Sequence, residues 1–231
     1  MFWRRVGEEI GAGTTPRLEW YGWRARRLDA ALQAVADTRV RAGKVLEIGS
    51  GPIGIVNFLE WGERYAIDPL EHFYRTQPSL VDLRRPGVTY MDGSGERLPF
   101  EDASVSLVLI ENVIDHTHEP VAILKEIRRV LTGNGCLFLT VNVHTRWGAG
   151  LHAVLAVLRI DTRHPYTFTS GSLRRLLAAT GFRVVSEAID DYKASAHADR
   201  RDPKLRAKVK GYTGLSEFVH SVICTKDQVS G

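Results

Sequence analysis

The chain has 231 residues, 44% of them hydrophobic, with a net charge of +4 and an isoelectric point near 9.2. That is enough apolar material for a substantial core, and nothing in it repeats as an array would. No stretch is long and apolar enough to cross a bilayer, and Met1-Phe-Trp-Arg-Arg-Val-Gly-Glu-Glu lacks the apolar centre of a secretory signal, so a cytoplasmic location is expected. Two cysteines, Cys136 and Cys224, are too few and too differently placed for a metal site or a disulfide framework; reduced, buried thiols and no bound metal are expected. Basic residues gather at Arg4-Arg5, Arg24 to Arg27 and Lys193 to Lys210. The last run also holds Asp199 and Asp202 and little aromatic interleaving before Tyr212, so it reads as a solvated face and argues against a nucleic-acid partner.

In chain order, helical spacing of Leu18, Tyr21, Leu28, Leu32 and Val35 predicts an N-terminal helix over 17–37. Trp20 and Trp23 are expected to pack it onto a sheet; Tyr21 either joins them or caps a cleft. Strands are predicted near 44–49, 64–68, 88–92, 105–110 and 136–142, alternating with helices, which implies a parallel sheet covered on both faces. After the fourth strand, Val121, Leu124, Ile127, Val130 and Leu131 line one helix face, Pro120 fits its first turn, and Gly133 and Gly135 close it. Lys125, Glu126, Arg128 and Arg129 form its solvent face. The run Ala153-Val-Leu-Ala-Val-Leu158 predicts a helix over a cleft, and Ser170 caps another that ends at Gly181. Phe182–Ile189 and Glu217–Cys224 read as two last strands, joined by a long charged loop, 190–216, that is mobile or part of a lid.

The most informative segment is Lys44-Val-Leu-Glu-Ile-Gly-Ser-Gly-Pro-Ile-Gly54: a buried strand, a glycine turn that lets a ligand approach, and Pro52 at the start of a helix. Asp68, closing the strand Tyr65-Ala-Ile-Asp68, is placed to accept hydrogen bonds from two ribose hydroxyls. A nucleotide-like cofactor is implied. Gly49-x-Gly51-x-x-Gly54 with Asp68 also satisfies the dinucleotide fingerprint of a nicotinamide-dependent oxidoreductase. Glu47, however, sits two residues before the first glycine, where it would repel a diphosphate.

From this motif onward the chain resembles the class I S-adenosylmethionine-dependent methyltransferases, whose first motif has the form acid-x-Gly-x-Gly, here Glu47-Ile-Gly49-Ser50-Gly51. Asp92-Gly-Ser-Gly-Glu-Arg-Leu-Pro-Phe100, Leu107-Val-Leu-Ile-Glu-Asn-Val-Ile-Asp-His116 and Ile127-Arg-Arg-Val-Leu-Thr-Gly-Asn-Gly135 follow in the family's order, so the likeness covers about 43 to 143. It implies a Rossmann-like α/β three-layer sandwich with a seven-stranded, mostly parallel sheet, an antiparallel last strand and a helical cap. One domain is expected: a helical extension over 1–42, a cofactor-binding core over 43–143, a cap and helix over 144–181, and terminal strands with the long loop over 182–231. The resemblance assigns Glu47, Gly49, Ser50 and Gly51 to the methionyl end and turn, Asp68 and Pro69 to the ribose, Ser94, Gly95 and Glu96 to adenine, and Glu111 and Asn112 to the floor under the sulfonium. Relatives often carry an Asp where Ser94 stands.

The implied reaction is methyl transfer from S-adenosylmethionine, leaving S-adenosylhomocysteine, to a small molecule. The acceptor is expected to be a hydroxyl of a sugar, glycan precursor, lipid or secondary metabolite. An oxygen acceptor needs a base, and three histidines lie in the right zone: His116, His144 and His164. Each has a structural alternative: bracing the next helix, bonding a loop carbonyl, or fixing the turn at Pro165. Asp115 is placed either to orient a histidine or to start the helix. Glu111-Asn-Val-Ile114 stands where a base amino-methyltransferase carries its Pro-Pro-aromatic turn. An RNA ribose or ring-carbon methyltransferase stays open, as does a binding protein without turnover, and the oligomeric state is left open.

Overall fold

The computed structural model describes residues 18–35, 39–117, 119–157 and 166–227. Alternating short apolar runs and helical segments build a seven-stranded sheet. Its strands are β1 (Lys44–Ile48), β2 (Glu63–Asp68), β3 (Val88–Asp92), β4 (Val105–Glu111), β5 (Leu131–Val143), β6 (Phe182–Ile189) and β7 (Phe218–Lys226), ordered β3-β2-β1-β4-β5-β7-β6. Strands β1 to β5 pair in parallel, and β7 runs antiparallel between β5 and β6. The order reverses between β1 and β4, the crevice in which an open parallel sheet takes its ligand.

The two-residue period of the strands sorts their side chains into two cores. Leu46, Ile48, Val108, Ile110, Leu137, Leu139 and Val141 face helices α5 (Pro120–Val130) and α7 (Ser170–Ala179) through Ile123, Leu124, Ile127, Leu173 and Leu177. Val45, Ala66, Leu107, Leu109, Cys136 and Phe138 face the other way, onto Ala25, Leu28 and Leu32 of α1 (Leu18–Gln33) and Val40 of α2 (Arg39–Ala42). At the C-terminal strand ends this second face turns polar. By alternation Glu47, Asp68, Glu111, Thr140, Asn142 and His144 lie on it, and α1 crosses above.

Several expectations from the sequence are corrected. Pro52 does not open a helix: Gly54 has φ +77°, and only a 3-10 turn, Val56–Phe58, forms before β2. In the helix's place stands a buried polar clamp. Glu71 and Arg84 pair through two hydrogen bonds of 2.8 and 2.7 Å, Arg84 Nε donates to the Pro52 carbonyl at 2.9 Å, and the Tyr90 hydroxyl donates to the Ile53 carbonyl at 2.6 Å. Glu71 belongs to α3 (Glu71–Tyr74), followed by α4 (Pro78–Val81).

The segment 190–216 is not a loop but two helices, α8 (Tyr192–Arg201) and α9 (Leu205–Thr213). Asp191 caps the first, Gly214 ends the second with φ +84°, and they touch where Gly211 leaves room for the Ala196 carbonyl. Their polarity hid them, since only Ala196 and Gly211 are buried. Strand β5 begins directly after α5, so Leu131 belongs to the strand, Gly133 and Gly135 lie within it, and Val121 is exposed. Glu126 and Arg129 are not idle surface: they pair with each other and hold the segment from Leu98 to Asp102 through its backbone and Asp102. Trp20 and Trp23 are half exposed, with Arg24 and Arg27 over their rings, rather than buried against the sheet, and Val35 lies exposed past the end of α1. Helix α6 (Arg146–Val157) forms the predicted helix after β5. Cys136 and Cys224 are buried, free thiols. No described helix is long and apolar enough to cross a membrane.

Candidate functional site

The turn after β1 is built on backbone that an L side chain rarely adopts: Gly49 has φ +68° and Gly51 φ +61°. The Gly49 amide donates to the Ile67 carbonyl at 2.8 Å, tying the turn to β2. A Cβ on Gly49 would strike Val113, so the turn also packs on the loop after β4. Ser50 is buried and its hydroxyl donates to the Gly51 carbonyl.

Asp68 is 5% exposed, and its two oxygens accept from the Gly51 and Leu70 amides, each at 2.9 Å. Burial raises its pKa against the pull of those two N–H groups. An ionised carboxylate has about four acceptor sites, so each oxygen keeps capacity for a further donor.

Glu47 holds the place a phosphate would need. Its Oε2 accepts from the Val56 amide at 2.7 Å, and a Cβ on Gly54 would lie 2.6 Å from the same oxygen. Burial pushes its pKa up to about 8, opposed by the amides of Val56 and Ile55. Glu111 is pushed up to about 7 by burial, although the Arg24 guanidinium, 2.5 Å away, pulls it down. Tyr21, stacked on Phe58, is pushed up to about 12 by burial and then by Glu47. The buried Tyr74 hydroxyl and the Asn112 carbonyl oxygen have no hydrogen-bond partner, and Asn112 itself holds φ +51°. The two orphaned atoms can each take a polar partner, and a cation placed beside Glu47 or Glu111 would favour the ionised carboxylate.

Sequence reasoning missed Arg24. Its guanidinium bridges Glu111 and the Thr140 hydroxyl at 3.1 Å, spanning the ends of β4 and β5, and its side chain is 11% exposed. Spacing carried the signal: Arg24 follows Tyr21 by three positions on α1, on the same face.

Gly95 packs against Ile48 and Ile123, while Ser94, Glu96 and Pro69 are exposed. Glu47, Gly49, Gly51, Asp68, Glu111 and Asn112 therefore converge at the strand ends, with Ser94 and Glu96 on the rim past β3.

Of the histidines, His144 is buried on the polar face, its amide bound to the Phe168 carbonyl at 2.8 Å. Its Nε2 lies 3.6 Å from Glu217, which also binds Lys210 at 3.1 Å, and its ring lies 5.4 Å from that of His152. None of Glu217, Lys210 or His152 was singled out by sequence: β7 and α9 bring Glu217 and Lys210 from far along the chain, while His152 comes from the neighbouring α6. His116 is half exposed and 3.7 Å from the buried Asp115, an ion-pair separation rather than a hydrogen bond. His164 lies outside the described residues. No group of three or more candidate metal ligands occurs among the described residues.

Residues 46–139 match the family described as a methyltransferase domain. A "Probable S-adenosylmethionine-dependent methyltransferase" of Mycobacterium tuberculosis is 28% identical over 172 residues, 74% of this chain and 60% of that protein. The dimethylglycine N-methyltransferase of Parasynechococcus marenigrum is 30% identical over 141 residues, 58% of this chain and 50% of its own length. The chain spans about half the length of the curated relatives it matches. Among solved structures, a geranyl diphosphate methyltransferase in complex with SAM superposes with a TM-score of 0.63 at 12% identity, over 89% of this chain and 85% of that one. That likeness concerns the fold.

Proposed function

The chain belongs through its core to the class I S-adenosylmethionine-dependent methyltransferases, and from that premise we propose that it methylates a small molecule. The observation that carries the reading is the row of buried carboxylates Asp68, Glu47 and Glu111 at the switch point of the sheet, with the glycine turn between the first two. The row suits a nucleoside carrying two positive charges. Asp68 would accept from the ribose diol, Glu47 would face the ammonium end, and Glu111 and Asn112 would lie beneath the sulfonium. Gly95, Ser94 and Glu96 would border the adenine.

The nicotinamide alternative loses its support at the same place. A pyrophosphate needs a helix N-terminus, and here the Val56 amide is taken by Glu47 with no α-helix behind it.

When bound, S-adenosylmethionine supplies an electrophilic methyl group on a good leaving group. The protein's own work is then to align the acceptor, keep water out and, for a hydroxyl, take its proton. We assign that proton to His144, with Glu217 as its charged neighbour, and an oxygen acceptor on a sugar, glycan precursor, lipid or secondary metabolite as the first reading. An amine acceptor is the second, favoured by the relative named as an N-methyltransferase.

Replacing His144 by Ala tests the choice. For a hydroxyl acceptor, kcat should fall by about 10²–10⁴ while S-adenosylmethionine affinity holds. An amine acceptor already neutral at the assay pH would lose far less, and an unchanged kcat with a hydroxyl acceptor would remove His144 from the mechanism.

A further inference from the structure

Helix α9 presents an apolar stripe to solvent. Leu205, Val209 and Tyr212 recur at i, i+4 and i+7, so they share one face, and they are 76%, 47% and 76% exposed. The opposite face, at Gly211, is the one packed on α8, where Arg200 Nε donates to the Gly211 carbonyl. Arg206 flanks the stripe on one side and Lys208 on the other, both exposed.

The surrounding charge is predominantly positive. From Tyr192 to Thr213 the chain carries seven basic and two acidic residues, so this one segment outweighs the net +4 of the whole protein. Trp147 of α6 extends the surface. It is 69% exposed, donates its ring N–H to the Thr213 carbonyl at 3.1 Å, and packs where Gly214 has no side chain. Its indole is thus fixed at the end of the stripe.

We propose that α9 and Trp147 form a docking surface for an anionic lipid bilayer, with Leu205, Val209 and Tyr212 entering the headgroup boundary and Lys208 meeting lipid phosphates. Aliphatic side chains framed by cations, with aromatic rings at the edge, match an interfacial helix lying in the plane of a membrane. Two other occupants fit less well. A second copy of this chain would bring like-charged flanks together. A nucleic acid would satisfy the cations and the rings, but it has no use for Leu205 and Val209 at the centre of the stripe.

The surface adjoins the candidate site, because Lys210 of the same helix binds Glu217 beside His144. A methyl acceptor anchored in a bilayer would therefore be presented next to that histidine, a consequence that rests on the methyltransferase reading. The docking itself does not.

The test is flotation of the full chain with phosphatidylcholine vesicles, with and without phosphatidylglycerol. Binding should require the anionic lipid and weaken with salt. Lys208→Ala should lower partitioning about fivefold, and Leu205→Glu with Val209→Glu should abolish it while the thermal transition stays in place. Absence of binding to anionic vesicles overturns the proposal, as does binding that survives the double substitution. Retention of single-stranded RNA without vesicle binding overturns it in favour of a nucleic acid. A dimer broken by the double substitution, without vesicle binding, overturns it in favour of a second copy.

Discussion

Glu47 is the residue at which the chemistry of the cleft is most exposed to measurement. Burial pushes its carboxyl from the ordinary 4.5 up to about 8, against the pull of the Val56 and Ile55 amides. The folded protein therefore holds a proton there that the unfolded chain has lost. Its contribution to stability is complete below about 4.5 and disappears as pH rises through about 8. A cationic ligand reverses the situation by stabilising the carboxylate. Binding of S-adenosylmethionine near pH 7 should release protons, seen as a calorimetric enthalpy that changes with the ionisation enthalpy of the buffer. Glu47→Gln should bind more weakly and release fewer protons. A buffer-independent enthalpy in the native protein would mean that Glu47 is not beside the positive charge. The residue was legible in the sequence as an acid ahead of a glycine turn. Its pKa was not, since that depends on its burial in the folded chain, and Arg24 was missed because it bonds to Glu111 and Thr140 from more than 80 residues away.

At the scale of elements, the sequence was most legible where one period dominates. The strands and α7 follow from apolar spacing, and α1 follows from its buried Ala25, Leu28 and Leu32. Failures fall where polar contacts do the structural work. Pro52 promises a helix, yet the Pro52 and Ile53 carbonyls are held by Arg84 and Tyr90, with Glu71 paired to Arg84, residues that lie beyond β2 in the chain. This clamp predicts a cost. Arg84→Met would strand Glu71, which is 3% exposed, and should destabilise the fold by about 3–5 kcal/mol in urea unfolding. A loss below about 1 kcal/mol would mean that the pair is solvated and the turn is held by other contacts. Helices α8 and α9 escaped for a different reason: their outward faces mix charge with exposed apolar groups, so no single buried stripe announces them.

Across the whole molecule, sheet order and side-chain alternation account for why residues from four strands meet. A parallel sheet whose strand order reverses between β1 and β4 opens a crevice there, and period-two alternation puts Glu47, Asp68, Glu111, Thr140 and His144 on one face of it. Helix α1 covers that face and supplies Tyr21 and Arg24, while α6 and α9 border its far end. The seven-stranded, mostly parallel sheet with an antiparallel last strand was implied by the resemblance that the motifs carry, and the structure adds its order. The convergence of Glu217 and Lys210 on His144 was not legible, because it needs β7 threaded between β5 and β6.

The central claim is that this face holds S-adenosylmethionine through Asp68, and titration calorimetry with S-adenosylmethionine, S-adenosylhomocysteine and NADH tests it most directly. The account predicts micromolar binding of both sulfur ligands, a loss of about tenfold or more in Asp68→Ala, and no binding of NADH. Binding of NADH alone, or S-adenosylmethionine affinity unchanged in Asp68→Ala, would contradict it.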